Sequence, residues 1–258
     1  MIIHRHPFTI HHFAQLGSTN DFLKSLAAGE PEFTCAVAEE QTAGRGRRDR
    51  QWHSSPGEGL YLSVLLLPSS PRKLSLLSLM SSIVVAEILI ERNVVGVDIK
   101  WPNDVLLNDR KLCGILVEGI GTGAMSAESG KPRVIVGIGV NLNHLSFPDE
   151  ISSTATSLKI ETGQATVVDE FRDQLLGKLA DWYARWQSGE WRLILDRWQQ
   201  LSSYARGVQV TIALDGETLS GETSGLTEDG ALIVRLPDGS LRTILSGDVT
   251  RFRKSLNA

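Results

Sequence analysis

Two cysteines in 258 residues, Cys35 and Cys113, make neither a disulfide framework nor a thiol quartet for a metal, so a reducing compartment is the expected home. Excess positive charge is also lacking. The 26 Lys and Arg stand against 30 Asp and Glu, a net charge of -4, which disfavours wholesale binding to a polyanion. No run reaches the roughly 18 apolar residues of a membrane span, and the opening MIIHRHPFTIHHF has no apolar stretch of signal-peptide length. A cytoplasmic protein is expected. No Ser, Cys or His sits in a recognisable nucleophile setting, so a covalent enzyme intermediate is not indicated. Internal repeats and low-complexity tracts are missing too, which excludes disordered, fibrous and solenoid classes.

What is present is a 41% hydrophobic, 22% charged chain, of a length that allows one large domain or a large one plus a small one. Over the first two thirds, short Val/Ile/Leu runs alternate with Gly-rich polar loops in an α/β pattern. Strands are predicted over 34–39, 60–67, 98–100, 105–107, 112–118 and 134–140, with helices over 18–28, 74–91 and 167–186. Ser18, Thr19 and Asn20 are N-cap types ahead of Phe22, Leu23 and Leu26 at helical spacing. The polar segment 108–111 suits an antiparallel hairpin. Trp182, Trp186, Trp191 and Trp198 read as core packing. His4, His6, His11 and His12 crowd the first segment and, without a thiol or carboxylate cluster downstream, read as an exposed terminal strand. After Gly207 the texture changes to strands over 208–214, 231–236 and 240–245 separated by Asp-Gly pairs at 215–216, 229–230 and 238–239. A small closed β-barrel is expected there. The predicted division is 1–206 and 207–258.

The segment Gln41-Thr42-Ala43-Gly44-Arg45-Gly46-Arg47-Arg48-Asp49-Arg50-Gln51-Trp52 sets four arginines within six residues, interleaved with glycines. On a loop after a strand, guanidinium donors and closely approaching backbone amides suit a phosphate or carboxylate. A solvated basic loop or a short nucleic-acid patch is the alternative, because the spacing matches neither a P-loop nor a dinucleotide fingerprint. Lys100-Trp101-Pro102-Asn103-Asp104 ends a strand. Asn103 and Asp104 offer oxygen ligands to a divalent cation, and Lys111 could cradle the anion beside it. Taken singly, these are a turn and a surface lysine. In Gly137-Ile138-Gly139-Val140-Asn141-Leu142-Asn143 the glycines either admit a close approach or mark tight strand packing. The residues by themselves support an anion-binding α/β protein with a candidate Mg²⁺ site, hence phosphoryl or nucleotidyl chemistry.

Taken together, Ser18-Thr19-Asn20, Gln41 to Arg48 with Trp52, Lys100 to Asp104, Lys111 with Gly114-Ile115-Leu116 and Glu118, and Gly137 to Asn143 resemble the biotin protein ligase family in order and spacing. The resemblance implies an α+β fold, with an α/β-type catalytic domain of the class II aminoacyl-tRNA-synthetase-like biotin/lipoyl ligase kind followed by a small SH3-like β-barrel. It implies two steps. The biotin carboxylate attacks the α-phosphate of ATP, giving biotinyl-5′-AMP and pyrophosphate, and a lysine of a biotin carboxyl carrier protein then takes the acyl group. Biotin and ATP are the implied substrates, Mg²⁺ the implied metal.

By motif match, Ser18, Thr19, Asn20 and Gln41 fall in the biotin pocket. Gly44, Arg45, Gly46, Arg47, Arg48 and Arg50 fall in the anion loop, with Arg45 and Arg47 on carboxylate and phosphate oxygens and Trp52 near the adenine. Lys111 corresponds to the lysine on the carboxylate and α-phosphate, and Asp104 to the acidic residue near metal and phosphates. Gly114, Asn103 and Asn141 are further ligand-side positions. Lys111, Arg47 and Asp104 are the implied catalytic residues, with Asp104 the implied metal ligand. Asp49 stands where the family has a third loop glycine and is expected to pair with Arg48 or Arg50. The 17 residues ahead of Ser18 are too few for the DNA-binding domain of larger members, so operator binding is not expected. No membrane partner is expected, and a homodimer is allowed. Lipoate ligases and octanoyl transferases of the same fold are one alternative. A non-catalytic nucleotide- or nucleic-acid-binding protein using the arginine loop is the other.

Overall fold

The computed structural model describes residues 1–26, 29–120 and 132–251. The first part of the chain forms β1 (Ile2–Arg5), β2 (Phe8–Leu16), α1 (Thr19–Ser25), β3 (Thr34–Gln41), β4 (Gly59–Leu66), α2 (Leu76–Glu91), β5 (Val97–Lys100), β6 (Asp104–Leu107), β7 (Arg110–Gly119) and β8 (Val134–Asn141). Its eight strands make one sheet in the order β1-β2-β3-β4-β8-β7-β6-β5. Only β2 and β3 run parallel, so the expected α/β alternation folds as a mixed, mostly antiparallel sheet. Local turn chemistry explains part of this. Asn108 and Asp109, at φ 50 and 63, form a two-residue reversal between β6 and β7 with residue types that tolerate the left-handed region.

The start of α1 follows its cap. Ser18 is extended and its Oγ accepts from the Asp21 amide at 3.4 Å, while Leu23 is buried beneath the helix. The helix was expected over 18–28, and positions 27 and 28 lie outside the described residues. α2 is apolar almost all round and correspondingly buried, with the sheet on one side and later helices on the other. Its Leu and Ile side chains other than Ile90 are buried, each worth roughly 1.5–3 kcal/mol.

α3 (Asp149–Ser152), α4 (Leu158–Thr162), α5 (Val168–Gln187) and α6 (Trp191–Leu201) follow. α6 was not foreseen as an element, although Trp191, Ile194, Leu195 and Trp198 recur at helical spacing. Trp186 and Trp198 are fully buried, and Trp182 Nε1 donates to Glu87 Oε2 at 3.0 Å, so the tryptophans pack as expected. His4 and His6 are exposed on or beside the edge strand β1. Among the described residues no three His, Cys, Asp or Glu side chains gather to hold a metal, and no helix is long and apolar enough to cross a membrane.

The chain ends in β9 (Arg206–Ala213), β10 (Thr218–Leu226), β11 (Leu232–Arg235), β12 (Leu241–Ile244) and β13 (Asp248–Arg251), an antiparallel sheet in the order β12-β11-β10-β9-β13. All three Asp-Gly pairs sit between strands with the glycine at positive φ. The expected barrel closure is not found among the described residues, because β12 and β13 end the sheet unpaired with one another. β13 instead meets the loop after β3, whose arginines Asp248 takes. A second contact lies at the β10–β11 turn. Trp101 Nε1 donates to Gly230 O at 2.9 Å, and a β-carbon at Gly230 would lie 2.7 Å from Leu76 Cδ2 of α2.

His144, just after β8, is fully buried, stacks on Phe147 and meets the Tyr61 hydroxyl at 3.3 Å through Nε2. Burial lowers its imidazolium from 6.5 to about 4. Between those values the unfolded chain binds the proton and the folded one does not, so stability rises with pH across that window. We expect acidification from pH 7 to 4 to remove about 3 kcal/mol through this group. Urea unfolding of His144→Gln at both pH values should show a correspondingly flatter dependence than the parent.

Candidate functional site

The site begins with backbone that carries no side chains. Gly137 and Gly139 of β8 and Gly114 of β7 leave a bare strip of sheet. The Trp52 indole lies on it. A β-carbon at Gly139 would be 2.5 Å from Trp52 Cε2, and one at Gly114 would be 2.8 Å from Cζ3. A β-carbon at Gly137 would collide with Asn20 Oδ1. Above this strip opens a cavity of about 1080 Å³, bounded by the loop after β3, the β6–β7 hairpin, β8 and β13.

At one end lie amides and hydroxyls. Ser18, Thr19, Asn20 and Gln41 all border the cavity. Gln41 Oε1 accepts from the Thr19 amide at 2.9 Å and from Thr19 Oγ1 at 3.1 Å, while Gln41 Nε2 donates to Ser54 Oγ at 3.1 Å. Ser63, buried on β4, lies 2.7 Å from Thr19 Oγ1 and 2.5 Å from Asn20 Oδ1. Sequence reasoning missed Ser63, and a lone serine in an apolar strand gives no signal. Such a neutral end, with donors and acceptors already oriented by one another, fits a small polar ring rather than an ion.

The arginine loop is held by a short bridge between Arg45 and Gln51, with Trp52 N donating to Gly44 O at 2.9 Å. A β-carbon at Gly44 would stand 2.8 Å from Trp52 O, which accounts for that glycine. Arg45, Gly46, Arg47 and Arg50 border the cavity, whereas Gly44 and Arg48 lie behind it. The four arginines divide among three sets of partners. Arg45 bonds Asp21 and Glu118. Arg47 donates to Asn103 Oδ1 at 3.3 Å and to Ser246 Oγ at 2.9 Å. Arg48, at φ 55, donates to Ala213 O and pairs with Asp215 and Asp248, and Arg50 also pairs with Asp248. Burial lowers the Arg47 guanidinium against the attraction of Asp248. The pairing expected of Asp49 concerns a side chain outside those described. Asp248 and Ser246 were missed because they lie some two hundred residues along the chain, in strand and turn positions with no motif around them.

Beyond the Trp52 ring stands a lysine pair. Lys111 Nζ is 2.6 Å from Asp104 Oδ1 and 5.5 Å from the centre of the Trp52 ring, and Lys100 Nζ is 3.5 Å from Asp104 Oδ2. One carboxylate between two ammonium groups leaves a net positive spot, suited to an anion. Lys111 is further fixed through its backbone, which bonds Thr154 O and the Thr156 amide. Asn103 Nδ2 donates to Ile115 O at 2.7 Å and Asn141 Nδ2 to Thr156 O at 3.0 Å, so both amides brace the cavity wall. Burial pushes the neighbouring Cys113 thiol far up, which makes it inert as a nucleophile. The arrangement can therefore bind a neutral polar head at one end and bring anionic groups together over Lys111.

Comparison with known proteins gives the same two parts. Residues 13–141 match the model of the Biotin/lipoate A/B protein ligase family, and residues 207–251 match that of the Biotin protein ligase C terminal domain. A biotin--[acetyl-CoA-carboxylase] ligase of Paracoccus denitrificans is 36% identical over 236 residues, covering 88% of this chain and 94% of that protein. A bifunctional ligase/repressor of Bacillus subtilis is 35% identical over 242 residues, covering 91% of this chain and 71% of the relative. A biotin protein ligase from Aquifex aeolicus, solved in complex with biotin and ATP, superposes with a TM-score of 0.81 at 30% identity, covering 95% of this chain and 99% of that one.

The glycine strip and Trp52 should be energetically coupled. Gly139→Ala is expected to cost about 1–3 kcal/mol in urea unfolding through overpacking. Combined with Trp52→Ala, most of that cost should vanish, and the two changes should be clearly non-additive. Additive effects would mean that Trp52 does not rest on Gly139.

Proposed function

The chain belongs to the biotin/lipoate A/B protein ligase family, and on that footing we propose that it is an ATP-dependent biotin protein ligase, converting biotin and ATP to biotinyl-5′-AMP and pyrophosphate and passing biotin to a lysine of a biotin carboxyl carrier protein. One observation carries this most directly. A neutral cluster of Thr19, Asn20 and Gln41 and a cationic Lys111 line one cavity, with the Trp52 indole and the Asn20 amide resting on the same bare glycine strip. A ureido ring suits the first and a carboxylate next to a phosphate suits the second. The biotin choice over lipoate within the family is supported by the match of residues 207–251 to the biotin ligase C-terminal model.

The residue roles follow from charge. Both reactants of the first step are anions, and fixed cations stabilise the charge that accumulates as they are pressed together. Lys111 bridges the biotin carboxylate and α-phosphate, and Arg47 with Arg50 faces the phosphates from the loop. Gly46 and Gly114 let backbone approach, Trp52 packs against the adenylate, and Arg48, Gly44, Asn103 and Asn141 hold these groups in place. Ser18, capping α1, supports the biotin end. Asp104 already neutralises Lys100 and Lys111, so it fits Mg²⁺ only as one ligand to an ion delivered on the triphosphate. Bound there, Mg²⁺ would offset phosphate charge, while the lysines and arginines orient the reactants.

A division at 206/207, with an SH3-like sheet left open between β12 and β13 among the described residues as the small domain, is supported by the start of β9 at Arg206 and by the run of hairpins that follows. Two buried free thiols support a cytoplasmic location. The net charge of -4 argues against operator binding, and the unpaired edges β1 and β5 of the large sheet are compatible with a homodimer.

Biotin-dependent exchange of labelled pyrophosphate into ATP should occur without carrier, since the first step needs only small molecules, and its absence in folded protein would falsify the ligase assignment. Lys111→Met should slow adenylation by about 10²- to 10³-fold, because the lysine acts on charge that is greatest in the transition state. Single-turnover transfer from pre-made biotinyl-5′-AMP should be slowed much less. Equal slowing of both steps would reduce Lys111 to a general binding contact.

A further inference from the structure

Glu118, near the end of β7, is outside the cavity wall and has no part in the chemistry above, yet it meets three side chains at once, two from α1 and one from the arginine loop. Its Oε2 accepts from Asn20 Nδ2 at 2.7 Å and from Arg45 Nη2 at 3.1 Å, and its Oε1 accepts from Lys24 Nζ at 2.6 Å and Arg45 Nη1 at 3.2 Å. Arg45 is held on its other side by Asp21, with Nη2 to Oδ1 at 2.5 Å and Nε to Oδ2 at 3.2 Å. Two cations therefore face a carboxylate whose side chain is only 20% exposed. Burial alone would raise the Glu118 carboxyl, but the bonds from Asn20, Lys24 and Arg45 outweigh it and hold it below its ordinary value. It is an ionised, acceptor-only group at neutral pH.

That property decides which way an amide points. The Asn20 side chain lies between Glu118 and Ser63, and either its N–H or its oxygen can face each of them. Ser63 by itself favours the turned-over amide. It has one proton and two acceptors within reach, Thr19 Oγ1 at 2.7 Å and Asn20 Oδ1 at 2.5 Å, and cannot satisfy both. Thr19 in turn gives its own proton to Gln41 Oε1. Rotating the Asn20 amide would present an N–H to Ser63 and relieve the shortage, but would aim Oδ1 at the Glu118 carboxylate. Repulsion between two acceptors in a half-buried place forbids it. The observed orientation, with Nδ2 on Glu118 and Oδ1 on Ser63, is thus imposed from outside the pocket.

We propose that Glu118 is a positioning residue for the substrate's polar ring, setting which atoms of the Asn20 amide are offered to the ureido group by claiming one N–H for itself. The proposal rests on biotin binding at Asn20, as set out above. Arg45 and Lys24 serve it indirectly by keeping the carboxylate ionised. Glu118→Gln is the discriminating change, because a primary amide of the same shape can donate to Oδ1 and so permits the turned-over Asn20.

The test uses the whole protein and isothermal titration with biotin in the absence of nucleotide, for the parent, E118Q, N20A and the E118Q/N20A double variant, with thermal unfolding of each. E118Q should weaken biotin binding by about 10- to 100-fold, the loss of one or two oriented hydrogen bonds. In the pyrophosphate-exchange assay its KM for biotin should rise by a similar factor, with kcat and the KM for ATP within about threefold of the parent, a split that general loosening of the fold would not produce. In the N20A background E118Q should add less than about twofold, since there is no amide left to orient. Parent-like biotin affinity in E118Q, with N20A impaired, would overturn the role of Glu118 and leave the biotin assignment standing. A full additional loss in the N20A background would overturn it as well. Unchanged biotin affinity in N20A would instead overturn both, by removing Asn20 from the biotin site. E118A, which deletes the acceptor without supplying a donor, carries the same expectations should E118Q fail to fold.

Discussion

The site depends on a stretch of sheet with nothing on it. Without side chains at Gly114, Gly137 and Gly139, an indole and an amide can lie directly against β7 and β8, and the cavity keeps both a polar and a cationic lining over one strip of backbone. A single methyl group at any of the three would be driven into Trp52 or Asn20. The rest of the architecture supports this strip. β7 and β8 are central neighbours in an eight-stranded sheet, their outward faces covered by α2, and a bare strip of backbone in the middle of such a sheet is far stiffer than a loop could be.

Around the strip, almost every charged group is already answered by another. Lys111 and Lys100 share Asp104, Arg45 is divided between Asp21 and Glu118, and Arg48 and Arg50 meet Asp248. Pairing of this kind adds little to stability where it is exposed. Its value lies in geometry, because long flexible side chains that would otherwise sample many rotamers are held close to the positions in which a ligand meets them.

Much of this was visible in the residues. The Ser18 cap, the Asp-Gly turns, the 76–91 core helix and the tryptophan packing each follow from rules that act over a few positions, and the structure obeys them. The ordered motifs also brought Asn20, Gln41, Trp52, Asp104 and Lys111 to one cavity. What stayed hidden depends on distant partners. Nothing near Ser63, Asp248 or Ser246 distinguishes it from any other strand or turn residue, and the contacts that β13 and the turn before it make are with arginines two hundred residues away. α6 was overlooked for a different reason. Its aromatic residues were weighed as packing, and their helical period was not used.

The attachment of Arg50 to Asp248 also changes what an incoming anion has to do. An unpaired arginine would simply be neutralised by a phosphate, and such an encounter weakens steeply as salt is added. Here the guanidinium already holds a carboxylate from the C-terminal sheet, so a phosphate that recruits it must exchange one anion for another. The number of charges brought together hardly changes in such an exchange, so the proposed phosphate contact at this loop would be less sensitive to ionic strength than its density of arginine suggests.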